Sequence, residues 1–548
     1  MKTDTSKDST RLEVINLKDD LKVPESPEDW IEYYSHVKKT LDVDIDFFID
    51  ASDDMVISGK ELELVDSNLW DKKFPRPNLE PGVLDKILKE KIPDTFCLYP
   101  FRYLNIDPDG RGRPCCKYAV GESWKEDARL PNDNIKDLFN QQYIKNLKKE
   151  FLEGKKPKAC KACWDEEDAG MMSMRQMDQY GGKEFPTTTW FKNILLESPT
   201  RIDFKLSSIC NGKCRICSAF LSTKWLQEEE DIGLLGEEVL KSYRLNAKEK
   251  FITNPENIEI LKHWAPTIQE INFFGGEPLL QSEHNLILKT MVETGYTENI
   301  VLYYNTNGSI YDEKICNYWE NFKKVELNYS IDDIGERFNY QRYPANYNDV
   351  MDNIKKYYKY TIPNERMLER IIGSKKYFYR FFSGGNSDWL DEGKYREYPT
   401  AEILRGRGFK IPMINRIYIT VSLFNIFYLD EILREHTTKW NMALQFNPVH
   451  FPHYYAINIL PNRLKDIIKK KLTEPTFVEE MSNKYIKCDP VDDVNEEIDH
   501  LIKLMYSTPE NPELIKEALQ NIKIHDGYRG QEFSKICPEI YEFLKEYE

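Results

Sequence analysis

The sequence predicts an α/β protein. Six strand–helix units build a parallel sheet, a small α+β module precedes them, and a helical segment follows. Three observations carry this. Short apolar strand cores recur at 202–206, 271–274, 300–304, 325–330, 417–423 and 443–446, with helical patterns between them. Strands that alternate with helices in this way form parallel sheets, because each crossover needs a helix to return the chain. Five cysteines, Cys97, Cys115, Cys116, Cys160 and Cys163, sit together ahead of the first unit, and after residue 450 the pattern is helical to Glu548.

Bulk properties bound the function. A chain of 548 residues has room for roughly two to four domains. Hydrophobic residues make up 41% and aromatic residues 13%, enough for a sizeable core. The formal charge of −16 supplies no global basic field, so nucleic acid is not an expected partner. No apolar run approaches the ~18 residues of a membrane-spanning helix. The first residues, MKTDTSKDSTRLEV, lack the apolar core of a signal peptide. The expected location is cytoplasmic, and there eleven cysteines point to metal ligands before disulfides.

Taken in order, residues 1–90 form an N-terminal region of no assignable role. Asp42, Asp44 and Asp46 suggest a calcium loop, but Phe47 stands where such a loop needs glycine. The stretch FPRPNLEPG, 74–82, is a proline-rich boundary. The module at 91–180 opens with a hairpin: a strand at 103–106, a turn at Asp107-Pro108-Asp109-Gly110, and a return to Cys115. One amphipathic helix is expected over 135–151, then the pair Cys160 and Cys163 in CKACW. Ser173 and Arg175 follow, either on a solvated helix start or as a bridge to the core. The six units occupy 198–460. They carry a charged helical insertion at 221–255 and a second insertion at 362–410, read as a substrate lid or a surface elaboration. Residues 461–548 form the helical C-terminal extension.

The chemistry centres on RIDFKLSSICNGKCRIC, residues 201–217. A short strand leads into a loop carrying Cys210, Cys214 and Cys217 in C-x3-C-x2-C spacing. Three thiolates this close can hold three corners of one metal centre and leave the fourth open. That suggests an iron–sulfur cluster with one open iron, or a zinc site with a distant fourth ligand. The upstream Cys97, Cys115, Cys160 and Cys163 fit either a four-cysteine zinc ribbon or a second iron–sulfur site, with Cys116 in support. Cys316, Cys488 and Cys537 are isolated and read as plain thiols.

CNGKCRIC resembles the cluster-binding loop of radical S-adenosylmethionine (radical SAM) enzymes, and Gly275-Gly276-Glu277-Pro278 resembles their second motif. The resemblance extends loosely over 90–465 and is closest to members with a twitch, or half-SPASM, auxiliary module. It implies a partial (β/α)6 barrel with its site at the C-terminal strand ends. It implies a [4Fe–4S] cluster on Cys210, Cys214 and Cys217, with S-adenosylmethionine (SAM) chelating the open iron. An auxiliary [4Fe–4S] cluster would sit on Cys97, Cys115, Cys160 and Cys163, although in most relatives that module follows the core. The SAM contacts it implies are Gly275, Gly276, Glu277, Pro278, Asn305, Asn307, Ser330, Asp332 and Arg342. Ile216 would pack against the adenine where many members have an aromatic residue.

The expected activity is reductive cleavage of SAM to a 5′-deoxyadenosyl radical that takes hydrogen from a peptide or small-molecule substrate. The auxiliary cluster would accept an electron, and flavodoxin or ferredoxin would supply one. A redox-neutral outcome such as epimerisation, and a non-catalytic zinc scaffold, are the alternatives. Asn425 and Asn447 are read as pocket-facing or as strand-end caps, and His450 and His453 as metal ligands or packing residues.

Overall fold

A computed structural model describes residues 93–119, 128–168, 173–176, 198–358, 413–437, 443–484 and 494–548. The expectations for 1–90, for the 362–410 insertion and for Cys488 lie outside these. The chain divides into two compact units. Among the described residues, the smaller comprises 93–104, 113–119, 139–168, 173–176 and 198–200, and the larger 105–112, 128–138 and those from 201 onward.

The predicted hairpin is present as β1 (Tyr103–Ile106) and β2 (Gly112–Arg113). Gly110 turns it with φ +87° while its N–H donates to the Asp107 carbonyl at 2.8 Å. The single helix expected over 135–151 is instead two, α1 (Ile135–Phe139) and α2 (Gln142–Leu152). Gln141 interrupts them with an extended ψ of 147°. The apolar positions form one continuous stripe in sequence, but the unit boundary falls between Leu138 and Phe139. Helix α3 (Lys161–Asp168) carries Cys163.

In the larger unit the strands are β3 (Arg201–Phe204), β4 (Glu270–Phe273), β5 (Val301–Thr306), β6 (Lys324–Ser330), β7 (Met413–Val421) and β8 (Ala443–Pro448). All neighbours are parallel and lie in chain order. No described pairing joins β8 back to β3, so the barrel is open. Strand β7 starts four residues before its predicted core. Asn415 and Arg416 interrupt the apolar run, yet Asn415 accepts the Tyr329 hydroxyl at 3.0 Å and Arg416 is ion-paired with Glu326. The 221–255 insertion is α4 (Thr223–Ile232) and α5 (Glu237–Asn246). Then come α6 (Glu256–Trp264), α7 (Ser282–Thr294), α8 (Glu313–Trp319), α9 (Gly335–Gln341), α10 (Tyr347–Tyr358) and α11 (Leu429–Glu435). The C-terminal helices include α12 (Asn462–Leu472), α13 (Pro475–Lys484), α14 (Val494–Met505) and α15 (Pro512–Arg529). No described helix is long and apolar enough to cross a membrane.

The two faces of the sheet differ. One is apolar and covered by helices: His284 of α7 and Trp319 of α8 both hydrogen-bond the buried Tyr304 hydroxyl, at 2.8 and 3.0 Å. The other carries polar residues in register, with Asp203, Asn272, Tyr303 and Glu326 aligned across four strands. Barrel interiors are usually filled by branched apolar layers. Here the polar groups satisfy one another: Asn272 donates to Asp203 at 2.6 Å, Tyr303 is hydrogen-bonded to Tyr418, and Glu326 is ion-paired with Arg416.

Candidate functional site

The loop after β3 is fixed almost entirely by hydrogen bonds to its backbone. Ser222, the cap of α4, donates to the Gly212 carbonyl at 2.5 Å and accepts from the Lys224 and Trp225 amides. Trp225 Nε1 donates to the Cys214 carbonyl at 2.7 Å. The Lys213 and Arg215 amides donate to the carbonyls of Tyr343 and Gln341, each at 2.8 Å. Short loops without regular structure need such partners, because buried backbone groups left unpaired are costly.

This backbone gathers the cysteines. A Cβ on Gly212 would lie 3.6 Å from Cys214 Sγ and 3.8 Å from Cys210 Sγ, so the two sulfurs converge over that glycine. Burial, reinforced by the neighbouring Cys214, raises the Cys210 thiol and pushes Cys217 up to about 12. Ligation by these groups therefore requires deprotonation, which a metal centre supplies.

The second motif locks onto the loop. The Glu277 amide donates to the Ile209 carbonyl at 2.8 Å. Gly276 has φ +54°, and a Cβ there would stand 2.3 Å from the same carbonyl. Only glycine permits that approach. Glu277 is fully buried; it accepts Thr306 Oγ1 and the Asn307 amide, both at 2.8 Å, and the Leu279 amide at 3.2 Å. Burial pushes its carboxyl up to about 7 against the pull of these donors. Gly275 lies against the Lys205 side chain, and Pro278 is buried at the start of a 3-10 turn.

The other predicted SAM contacts cluster at the strand ends. Asn305 sits near the end of β5 with a buried Oδ1 that has no hydrogen-bond partner. Asn307 is already engaged: its Nδ2 donates to Asn211 at 2.8 Å and its Oδ1 accepts the Ser309 amide. Ser330 ends β6 half-exposed. Asp332 accepts Arg342 Nε at 2.6 Å and the Thr420 amide at 2.8 Å, so it bridges β6, β7 and the helix before Arg342. Arg342 Nη1 also reaches Cys214 Sγ at 3.7 Å. Ile216 is half-buried within the loop. An orphaned amide oxygen, a carboxylate-ready arginine and three gathered thiols suit a cluster with an amino-acid-bearing ligand.

Asn425 is a strand-end tie, fully buried and donating to the carbonyls of Asp332 and Thr420. Asn447 is exposed near the end of β8. His450 and His453 are exposed and line a cavity of about 530 Å³ with Glu510 and Asn511.

The smaller unit holds the second set. Cys97, Cys115, Cys160 and Cys163 all line one cavity, with Tyr99, Phe151, Met174 and Arg175 around them. Burial, then the charge of Cys163, pushes Cys160 up to about 12. Cys116 is exposed outside that lining, its Sγ 3.6 Å from Met174 Sδ. Ser173 and Arg175 are buried rather than solvated. Arg175 pairs with Glu167 at 2.8 Å and donates to the Asp94 and Phe96 carbonyls, each at 2.7 Å. Among the described residues no three His, Cys, Asp or Glu side chains are drawn tightly enough onto one point for a single metal ion.

Sequence reasoning missed the partners of the loop. Asn211 orders Asn307, and Glu228, His525, Asp526 and Arg529 surround Lys213 and Arg215. The signal available was HDGYR, late in α15, which has no periodic mark of function.

Residues 204–377 match the Radical SAM superfamily, and residues 97–164 match the SPASM iron–sulfur cluster-binding domain. No curated protein matches the chain. Among solved structures it is similar to native anSMEcpe with bound AdoMet, at 16% identity and a TM-score of 0.30, over 52% of this chain and 63% of that one. It is also similar to Streptococcus suis SuiB bound to S-adenosylmethionine, at 11% identity and a TM-score of 0.25, over 71% of this chain and 90% of that one. SuiB bound to precursor peptide SuiA matches at 11% identity and a TM-score of 0.23, over 53% and 62%. The chain thus spans under two thirds of the length of anSMEcpe.

Proposed function

Because this chain carries a radical SAM domain and, ahead of it, an SPASM iron–sulfur cluster-binding domain, we propose that it is a radical SAM oxidoreductase acting on a peptide or small-molecule substrate. Cys210, Cys214 and Cys217 would hold the [4Fe–4S] cluster, and Cys97, Cys115, Cys160 and Cys163 an auxiliary one. When bound, the first cluster with SAM supplies a 5′-deoxyadenosyl radical for hydrogen abstraction, and the second supplies an electron sink. The observation that supports this most is the hydrogen bond from the Glu277 amide to Ile209, which binds the two motifs into one site.

The chain's own residues do the rest. Arg342, oriented by Asp332, offers a guanidinium to the SAM carboxylate. Glu277 and the two glycines before it present a polar backbone at close range. Asn305 offers an acceptor with no other use. The polar face of the open barrel receives and orients the substrate. Flavodoxin or ferredoxin is the proposed electron donor.

The test is SAM cleavage by the anaerobically reconstituted chain under dithionite. Wild type should form 5′-deoxyadenosine, and a Cys210→Ala, Cys214→Ala, Cys217→Ala variant should form none. Equal product from both would overturn the assignment.

A further inference from the structure

A buried charge network joins α15 to the cysteine loop. Lys213 and Arg215 flank Cys214. Lys213 pairs with Glu228 at 2.6 Å, and Glu228, fully buried, also accepts His525 Nδ1 at 2.7 Å and Arg529 Nε at 2.9 Å. Arg215 is ion-paired with Asp526, whose carboxylate also takes the Tyr340 hydroxyl at 2.9 Å and the Phe533 amide at 2.7 Å. The Arg215 side chain is 1% exposed and that of Arg529 is 0% exposed.

The charges in this network do not cancel. Lys213, Arg215 and Arg529 face two buried carboxylates, Glu228 and Asp526, while Asp231, the further carboxylate beside Lys213, is exposed. Hydrogen bonding does not absorb the excess: Arg215 Nε and Nη1 and Arg529 Nη1 and Nη2 are buried without partners. The guanidiniums lie instead over the Tyr340 ring at 4.1 Å and the Trp225 ring at 4.7 Å. A buried cation in excess is costly unless an anion completes it. Negative charge is available at the loop itself, where Cys214 lies close enough to act on Arg529, because thiolate ligands and a reduced cluster are anionic.

We propose that α15 is the counter-charge element of the Cys210, Cys214 and Cys217 loop. Arg529 and Arg215, held by Glu228 and Asp526, stabilise the reduced form of the cluster bound there and so raise its reduction potential. Asp526 and His525 are positioning residues: Asp526 holds Arg215, and His525 holds Glu228, the partner of Arg529. The inference rests on the function proposed above.

The experiment is an EPR-monitored dithionite titration of the SAM-responsive cluster signal in the reconstituted full chain. Arg529→Gln keeps a donor for Glu228 but removes the charge, and its potential should fall below wild type. Arg529→Lys keeps the charge and should restore the wild-type value. Lys213→Gln, at a position 14% exposed, should also lower the potential and carries the test if Arg529→Gln does not fold. An unchanged potential in the glutamine variants at full cluster content would overturn the inference, as would an equal fall in the lysine variant. A wild-type chain whose iron content is indifferent to Cys210→Ala, Cys214→Ala, Cys217→Ala would overturn the underlying function instead, and the inference with it.

Discussion

At the scale of single residues, the site is built by what glycine and a buried carboxyl each permit. Gly276 combines positive φ with a backbone neighbour 2.3 Å from any added Cβ. Gly276→Ala should therefore cost at least about 1–2 kcal/mol in the left-handed backbone alone. The clash adds to this and pushes the Ile209 carbonyl, and with it the cysteine loop. Urea unfolding should show the loss, and iron content should fall with it. Wild-type stability and iron in this variant would mean that the two motifs are not coupled through that carbonyl. The three cysteines and the glycine pair were legible because their spacing is rigid in sequence. The role of Asn307 was only half legible. Its polarity marked a pocket residue, but its amide is tied to Asn211 and Ser309, loop partners at a distance of chain that no local pattern encodes.

At the scale of elements, helix α7 carries a buried acid at its first turn. Glu283 accepts the Ile252 amide at 2.8 Å, and burial pushes its carboxyl up to about 7 from the ordinary 4.5. The folded chain thus holds this proton more tightly than the unfolded one. The group's contribution to stability is complete below about pH 4.5, declines as pH rises to about 7 and stays lost above that. Melting temperature should drop between about pH 5 and pH 8, and Glu283→Gln, neutral throughout, should lessen that drop and leave the share of Glu277, also raised to about 7. A variant with the same slope as wild type would remove Glu283 as its source.

Element positions followed apolar periodicity closely where strands are apolar, as at β4 and β5. They were missed where polar residues belong to the fold. Asn415 and Arg416 hid the start of β7 because their partners, Tyr329 and Glu326, lie on another strand. The stripe from Ile135 to Phe151 looked like one helix because periodicity does not register a change of unit between Leu138 and Phe139.

At the scale of the whole molecule, the chain is interleaved rather than strung in sequence. Asn105–Gly112 and Ala128–Leu138 leave the module that surrounds them in sequence and belong to the larger unit. The Ile106 carbonyl accepts the Lys205 amide at 3.0 Å there, just past β3. The sequence order of module, barrel and helical extension was legible from cysteine grouping and strand–helix alternation. The link from α15 to the cysteine loop was not, because Glu228 and Arg529 stand 301 positions apart in the chain and leave no local trace.

The central claim is that two separate sets of cysteines each build an iron–sulfur site. Counting iron and acid-labile sulfide on the anaerobically reconstituted chain tests it most directly. The account predicts about eight irons with matching sulfide per chain, falling to about four in Cys160→Ala, Cys163→Ala and likewise in Cys210→Ala, Cys214→Ala, Cys217→Ala. About four irons in wild type would remove the auxiliary cluster and return a redox-neutral reaction to favour. Zinc without sulfide at both sites would contradict the account as a whole.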